Sequence, residues 1–187
     1  MTVLLRRFTV TQRVLHWLMA VCILLMLFIG VGMVSTVTTT HLTLLSIHKP
    51  LGIAILILAV LRIVVRLLTG TPGLPDDLPV PMRLAATLSH YGLYALMIAM
   101  PLIGWAMLSA AAYPVVLFAG VQLPAIVPQS DSLHAMLWTA HQLLAFAFFA
   151  LILLHLAAAL FHALIRRDGV FTSMAPVPTE DSIAQTE

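Results

Sequence analysis

Four long apolar stretches, separated by polar or proline-rich segments, dominate the hydrophobic pattern of the chain. They cover residues 14–34, 48–68, 84–112 and 133–165. Each is long enough to cross about 30 Å of hydrocarbon as a helix, which takes roughly 20 residues. Three contain no charged residue, whereas Arg62 and Arg66 lie in the last two turns of the second, where long side chains reach the interface. The pattern predicts an all-α, integral membrane four-helix bundle with up-down topology.

Composition and charge placement agree with a membrane protein. The chain has 187 residues, of which 61% are hydrophobic and 9% charged, far from the average of soluble domains. Eight of the nine Lys and Arg residues lie before the first stretch, around the second connection or after the fourth stretch, which are segments on one side of an up-down bundle. They are Arg6, Arg7, Arg13, Arg62, Arg66, Arg83, Arg166 and Arg167; the ninth, Lys49, lies on the other side. The positive-inside rule therefore places both termini and the connection 69–82 in the cytoplasm.

Domain organisation follows from the same pattern. We expect one transmembrane domain over residues 1–171. The polar segment 172–187, "TSMAPVPTEDSIAQTE", is expected to be a disordered tail because it has few residues that could enter a core. Nothing in the sequence indicates a nucleic-acid partner, and the membrane lipid is the expected environment.

Histidines recur at multiples of seven residues in the fourth stretch. They are His134, His141, His155 and His162. A step of seven lags full helical turns by only about 20°, so these side chains share one stripe. Two histidines elsewhere match the depths of the inner members of the stripe: His48, expected to open the second span, matches His141, and His16, at the cytoplasmic end of the first, matches His155. The depths predict two pairs of imidazoles on facing helices, roughly 21 Å apart along the axis.

Two imidazoles with no carboxylate or thiolate partner suit a low-spin haem iron in a helix bundle. Zinc would usually take a third and a fourth ligand, and copper is conceivable. The single cysteine, Cys22, excludes covalent c-type attachment of a haem. Arg62 and Arg66 lie near the depth of the inner pair, so they are either partners of haem propionates or positive-inside anchors. Each histidine taken alone is explained equally well as a metal ligand or as a residue that forms a structural hydrogen bond to a neighbouring group.

The sequence resembles the bacterial cytochrome b561 family in segments that cover nearly the whole chain to about residue 171. These segments are "LHWL" in the first stretch, "IHKPLGI" and "RIVVRLL" in the second, "SHYGLYALMIAMPLIGW" in the third, and "AHQLLAF" and "LLHLAAALFH" in the fourth. The resemblance implies two non-covalent haem b groups whose iron ligands are His16, His48, His141 and His155. It also implies a bacterial inner-membrane location and electron transfer between an outer-face partner and a membrane quinone such as ubiquinone. His162 matches a family position near a cytoplasmic quinone pocket, and His90 matches a recurrent histidine of the third helix.

Some members of this family oxidise superoxide at the outer face, and the connection 109–132 bears on that activity. It contains no Lys or Arg, so only Lys49 could attract an anion there, apart from protonated histidines. An apolar loop of this kind suits a cap over the outer haem or the docking of a redox partner protein.

Two other functions use similar residues. A haem-bearing membrane anchor subunit of another oxidoreductase would keep the same histidine pairs. A histidine-lined metal or proton transporter would place acidic partners or broken helices along its path, and the spans contain no carboxylate.

Overall fold

The computed structural model describes residues 7–117 and 120–176. Within them, the helices and strands in chain order are α1 (Val10–Ser35), α2 (Thr39–Thr69), α3 (Val80–Ala110), β1 (Val115–Val116), β2 (Gln122–Leu123), α4 (Asp131–Phe161) and α5 (Val170–Met174). A π-helical turn, His162–Arg166, continues α4 without a break. The four long helices are apolar and long enough to cross a membrane, so the prediction of an all-α membrane bundle is confirmed.

Local capping sets where the helices begin. The hydroxyl of Thr9 accepts a hydrogen bond from the backbone N–H of Gln12, whose side chain accepts one from the backbone N–H of Thr9, a reciprocal arrangement that satisfies free donors of the first turn. Ser130 caps α4 through Leu133 in a similar way. Both helices therefore begin a few residues before the apolar stretch that predicts them.

The predicted start of the second span is wrong. His48 was expected to be the first residue of this helix, with Pro50 in its first turn, but α2 begins at Thr39 and Pro50 lies inside it. The hydroxyl of Thr38 caps the earlier start by accepting a hydrogen bond from Thr40 N. Hydropathy did not reveal this start, because the first two turns of α2 are mostly polar.

The long helices pack in sequence order, α1 on α2, α2 on α3 and α3 on α4. The four spans run alternately up and down, so both ends of the described chain lie at one end of the bundle, where Phe8 N donates to Ser173 O. We call this the terminal end; it also holds the α2–α3 connection. The opposite end, called the hairpin end, carries the α1–α2 turn and the antiparallel strands β1 and β2.

A thin apolar core lies midway along the bundle. Each long helix contributes one buried residue to it: Met19 from α1, Ala59 from α2, Met97 from α3 and Phe148 from α4. Phe148 occupies the position seven residues from both His141 and His155. The core layer therefore separates the two predicted histidine levels, and Phe148 acts as a packing residue within it.

The segment after α4 closes the terminal end. The indole N–H of Trp17 donates to Met174 O at 2.9 Å, and Arg13 donates to Ala175 O at 3.1 Å. Helix α5 extends to Met174, so the predicted boundary of a disordered tail at residue 172 falls inside an ordered helix. The order comes from these contacts with α1, which local composition does not reveal. The rest of the predicted tail, from residue 177, lies outside the described residues.

Candidate functional site

The histidine pair at the terminal end joins α1 and α4. The ring centroids of His16 and His155 lie 6.3 Å apart, with an angle of 68° between the ring planes. His90 of α3 is a second neighbour of His155, at 5.5 Å between centroids. This end of the bundle thus brings three half-buried imidazoles together, whereas the depth argument predicted two.

The pair at the hairpin end joins α2 and α4. The ring centroids of His48 and His141 are 6.2 Å apart and the planes make an angle of 66°. Helix α3 approaches this pair through Gly104: a Cβ atom at that position would lie 3.3 Å from Cε1 of His141. The absence of a side chain at Gly104 therefore allows α3 to pack directly against the imidazole.

The two histidines of the hairpin-end pair differ in their hydrogen-bonding surroundings. Nδ1 of His48 and Nδ1 of His141 are both buried. In the part of the chain that the structure describes, Nδ1 of His48 has no hydrogen-bond partner, whereas the backbone of Met100 lies within hydrogen-bonding reach of the His141 ring. Buried polar atoms are nearly always satisfied in folded proteins, and exceptions point to an ion or ligand. Structural hydrogen bonding within the described residues therefore does not explain His48.

The remaining histidines of this end have structural partners. Nδ1 of His41 lies 3.0 Å from Met33 O, and Nδ1 of His134 lies 3.0 Å from Met107 O. His134 thereby ties the first turn of α4 to the last turns of α3. Its place on the histidine stripe reflects helix packing.

Two arginines and a tyrosine flank the terminal-end pair. Nε of Arg62 donates to the hydroxyl of Tyr94 at 2.9 Å, and the guanidinium carbons of Arg62 and Arg66 lie 5.9 and 5.7 Å from the Tyr94 ring centroid. The ion pairs among the described residues involve other groups, so no carboxylate neutralises either guanidinium there. All three side chains line a small cavity at the terminal end together with Gln12. This cluster presents two positive charges at the membrane boundary, where an anionic group would be stabilised.

Tyr94 was not predicted from the sequence. It lies one helical turn after His90 in "SHYGLY", so its spacing from His90 was an available signal. Its role depends on the approach of α2 to α3, which the spacing does not reveal.

His162 lies in the π turn and contacts a carboxylate. Its Nδ1 is 2.7 Å from Oδ2 of Asp168, and the same oxygen accepts a hydrogen bond from Nε of Arg166 at 2.8 Å. Arg166 also reaches Asp77 of the α2–α3 connection at 2.8 Å. Burial raises the pKa of the Asp168 carboxyl, but the hydrogen bonds from Arg166 and His162 lower it by more, so the pKa lies below its usual value. Asp168 was also missed, because it falls after the last apolar stretch.

The hairpin end is covered by the connection that carries β1 and β2. The indole N–H of Trp105 donates to Pro124 O at 2.9 Å, and Nζ of Lys49 lies 3.5 Å from Pro114 O. A cavity of about 190 Å³ lies beneath this connection. These contacts hold the connection against the ends of α2 and α3, and one of them involves Lys49.

The two histidine pairs fit a haem iron. A metal–imidazole nitrogen bond is about 2.0 Å, so two imidazoles on opposite sides of one metal ion place their centroids about 6 Å apart, close to the separations of both pairs. No cluster of three or more His, Cys, Asp or Glu side chains that could hold a metal occurs in residues 7–117 and 120–176, which disfavours a zinc site.

Both histidine pairs lie between helices that contact each other at few positions. The main helix contacts are those between sequence neighbours, and α4 approaches α1 and α2 closely at few positions. No large side chain in the described part of the chain is fully buried.

A bundle of four membrane-spanning helices with paired histidines on facing helices has the architecture of the membrane cytochromes that hold haem non-covalently between helices. The family model for prokaryotic cytochrome b561 matches residues 7–176. The chain therefore belongs to the prokaryotic cytochrome b561 family of membrane b-type cytochromes, and membership implies that it binds haem b. Together with the four spans, it is a multi-pass bacterial membrane protein.

Curated relatives agree with this assignment. The chain is 28% identical over 180 residues to cytochrome b561 homolog 1 of Escherichia coli K12, covering 92% of this chain and 98% of the relative. It is 28% identical over 178 residues to cytochrome b561 homolog 2 of the same organism, covering 94% of each. It is 35% identical over 131 residues to the probable superoxide oxidase CybB of Yersinia pestis, covering 70% of this chain and 73% of the relative. The family assignment favours a cytochrome over a transporter.

Proposed function

We propose that this protein is a di-haem cytochrome of the bacterial inner membrane that carries electrons between a donor at the outer face and a membrane quinone, with ubiquinone as the expected acceptor. The hairpin end then faces outward, and the terminal end faces the cytoplasm, as the placement of the arginines indicates. The observation that carries the proposal is the presence of two histidine pairs at opposite ends of the bundle, with nearly equal ring separations of 6.2 and 6.3 Å.

The residues that would hold each haem follow from the pairs. His48 and His141 would bind the iron at the hairpin end, and His16 and His155 the iron at the terminal end. Bound haem supplies one-electron chemistry, because its iron cycles between the ferric and ferrous states. Four helices converge on these ligands, so the protein holds the imidazoles in place before any cofactor enters.

The surrounding side chains control charge and water. Arg62 and Arg66 would neutralise propionate carboxylates at the terminal end, where no described acidic side chain competes for them. The core layer of Met19, Ala59, Met97 and Phe148 lies between the two levels and excludes water there. His90 and Tyr94 line the terminal-end site and would tune its electrostatics.

Haem quantification and a reduced-minus-oxidised spectrum of the detergent-purified protein test the proposal. We expect two b-type haems in the wild type, and one each in His141→Ala and His155→Ala. The absence of haem after expression with ample haem supply would contradict the proposal. Co-purification of a stoichiometric second subunit would instead identify the protein as a haem-bearing anchor.

Superoxide oxidation is a second candidate function. The 35% identity to a probable superoxide oxidase favours it, while the lack of any described Lys or Arg other than Lys49 near the hairpin end counts against rapid anion capture. Reduction of the haems by enzymatically generated superoxide, slowed by rising ionic strength and in Lys49→Gln, would support it. A rate that superoxide dismutase leaves unchanged would exclude it.

A further inference from the structure

Two arginines meet at the terminal end, where α1 contacts the segment after α5. Nη2 of Arg7 and Nη1 of Arg13 both donate to the carbonyl oxygen of Ala175, at 3.2 and 3.1 Å. The two donor nitrogens are therefore no more than about 6 Å apart, a separation at which the two guanidinium charges repel each other. A backbone carbonyl carries only a partial charge, so it positions both side chains without neutralising them. We call these three residues the basic corner.

Arg13 keeps the capacity to bind an anion. Its Nε is buried and has no hydrogen-bond partner in the described part of the chain. None of the ion pairs among residues 7–117 and 120–176 involves Arg13, so no described carboxylate neutralises it. A buried donor on a charged group is costly when it is unsatisfied, and such exceptions point to a ligand or ion.

The basic corner lies at the level of the lipid headgroups. Arg13 is the last Lys, Arg, Asp or Glu before the apolar sequence of α1. Trp17 follows one helical turn later, with an exposed ring whose N–H donates to Met174 O. Tryptophan is enriched where the hydrocarbon of a membrane meets the headgroups. Arg13, one turn closer to the water, therefore lies at the height of the lipid phosphates.

An exposed apolar stripe of α1 begins at the basic corner. Its members are Trp17, Leu24, Phe28 and Val31, all of which are exposed. At about 100° per residue, they lie within about 60° of Arg13 around the helix axis. The stripe extends about 27 Å along α1, which is longer than the roughly 15 Å that the acyl chains of one leaflet span. A cation at one end of a long apolar stripe matches the two parts of a phospholipid.

We propose that the basic corner binds the phosphodiester group of an anionic phospholipid whose acyl chains lie along the exposed stripe of α1. Arg13 donates from its Nε to a phosphate oxygen, and Arg7 contributes a second positive charge. The bound phosphate relieves the repulsion between the two guanidinium groups. An anionic headgroup is favoured over a zwitterionic one because it brings no cation of its own. Free phosphate offers the same oxygens but has no apolar part that could contact the stripe.

Native mass spectrometry of the detergent-purified protein, with its haem content measured beforehand, tests the proposal. Dioleoylphosphatidylglycerol or dioleoylphosphatidylcholine is added at increasing concentration, and the lipid molecules retained by each protein molecule are counted. In the wild type we expect one phosphatidylglycerol to be retained at a concentration about 10-fold below that needed for phosphatidylcholine. In Arg13→Gln we expect this preference to fall to about 2-fold or less, because the charge-assisted hydrogen bonds are lost.

Two further variants make the test specific. Arg83→Gln removes one positive charge from the same end of the bundle, but its side chain donates to Asp76 O, so this variant should keep the wild-type preference. Arg13→Lys keeps the charge and loses the planar set of donors, so it should show an intermediate preference. The comparison of the two lipids in the wild type needs no variant, and it decides the matter even if Arg13→Gln does not fold.

Four outcomes would overturn the proposal. The wild type could retain both lipids equally, or Arg83→Gln could lose the preference as Arg13→Gln does, which would indicate general attraction to the positive end. Ammonium phosphate, added at the ionic strength of an ammonium acetate control, could displace the bound lipid, which would identify a site for free phosphate. Finally, Glu180→Gln with Asp181→Asn could increase lipid retention severalfold, which would show that these carboxylates, outside the described residues, occupy the basic corner themselves.

Discussion

The rings of His48 and His141 meet edge to face between α2 and α4, with their centroids 6.2 Å apart, and Nδ1 of His48 is buried without a hydrogen-bond partner in the described chain. Two helices that pack only loosely thus meet at a pair of imidazoles. Such a contact is costly in a membrane interior unless a ligand satisfies it. The contact is the best place to test how the bundle binds its cofactor.

Removing one histidine should empty one site and spare the other. We expect His141→Ala to lose the hairpin-end haem and His155→Ala to lose the terminal-end haem, because each pair shares no histidine with the other. Haem quantification and the amplitude of the reduced-minus-oxidised spectrum measure this directly. His134→Ala is the control: its imidazole bonds to Met107 O, so this variant should keep both haems. Equal loss of haem in all three variants would contradict the assignment.

A side chain at Gly104 should disturb the hairpin-end site. A Cβ atom there would lie 3.3 Å from Cε1 of His141, so Gly104→Val should displace the imidazole and lower haem occupancy or shift the midpoint potential at this site alone. Potentiometric titration of the two haems checks the prediction. Gly30→Val is the matched control, because a Cβ at Gly30 has no neighbouring atom within 4 Å. The prediction is wrong if Gly104→Val, like the control Gly30→Val, titrates as the wild type does.

Loss of a positive charge at the terminal end should make that haem harder to reduce. Arg62→Gln removes a cation that stabilises the additional electron, which in a partly polar interior corresponds to about 1 kcal/mol, or roughly 40 mV. We therefore expect a lower midpoint potential for the terminal-end haem, and a smaller decrease for Tyr94→Phe, which removes the hydrogen bond that orients Arg62. Arg83→Gln, whose side chain donates to the backbone carbonyl of Asp76 in the connection, should leave both potentials unchanged. A fall of equal size in Arg83→Gln would show that the effect is not local.

The ionic contacts of Asp168 should stabilise the terminal end in a pH-dependent manner. Because its pKa in the folded protein lies below the ordinary value of 3.8, the stabilisation is fully present above that value and is lost as the pH falls through the lower, folded-state pKa. At neutral pH we expect Asp168→Asn to lower the melting temperature by roughly 2 to 4 °C, and the difference from wild type to shrink in acid. Melting curves in detergent, with Asp76→Asn at an exposed position of the α2–α3 connection as control, measure it. If the melting temperatures of Asp168→Asn and the wild type differ by the same amount at the lowest pH, the ionised carboxylate of Asp168 is not the source of the stabilisation.

The apolar pattern of the sequence by itself determined that the chain forms four long membrane-spanning helices and that these helices alternate in direction across the membrane. A span without water must satisfy its backbone internally, so a stretch of roughly 20 apolar residues has one solution, a helix. The seven-residue spacing of His141, Phe148 and His155 similarly places them on one stripe, because helix geometry is local. The pairing of His48 with His141 and of His16 with His155 was also predictable, since depth along a span follows from residue count.

Only the tertiary structure decided which further groups join those pairs. Tyr94 reaches Arg62 because α2 and α3 pack at a particular rotation, and His90 lies beside His155 for the same reason between α3 and α4. Asp168 reaches His162 through a π turn and a left-handed residue that no periodicity specifies. Rotation and end geometry depend on contacts between distant segments, and hydropathy does not record these contacts. The sequence therefore determined the depth of each residue, and packing determined its neighbours.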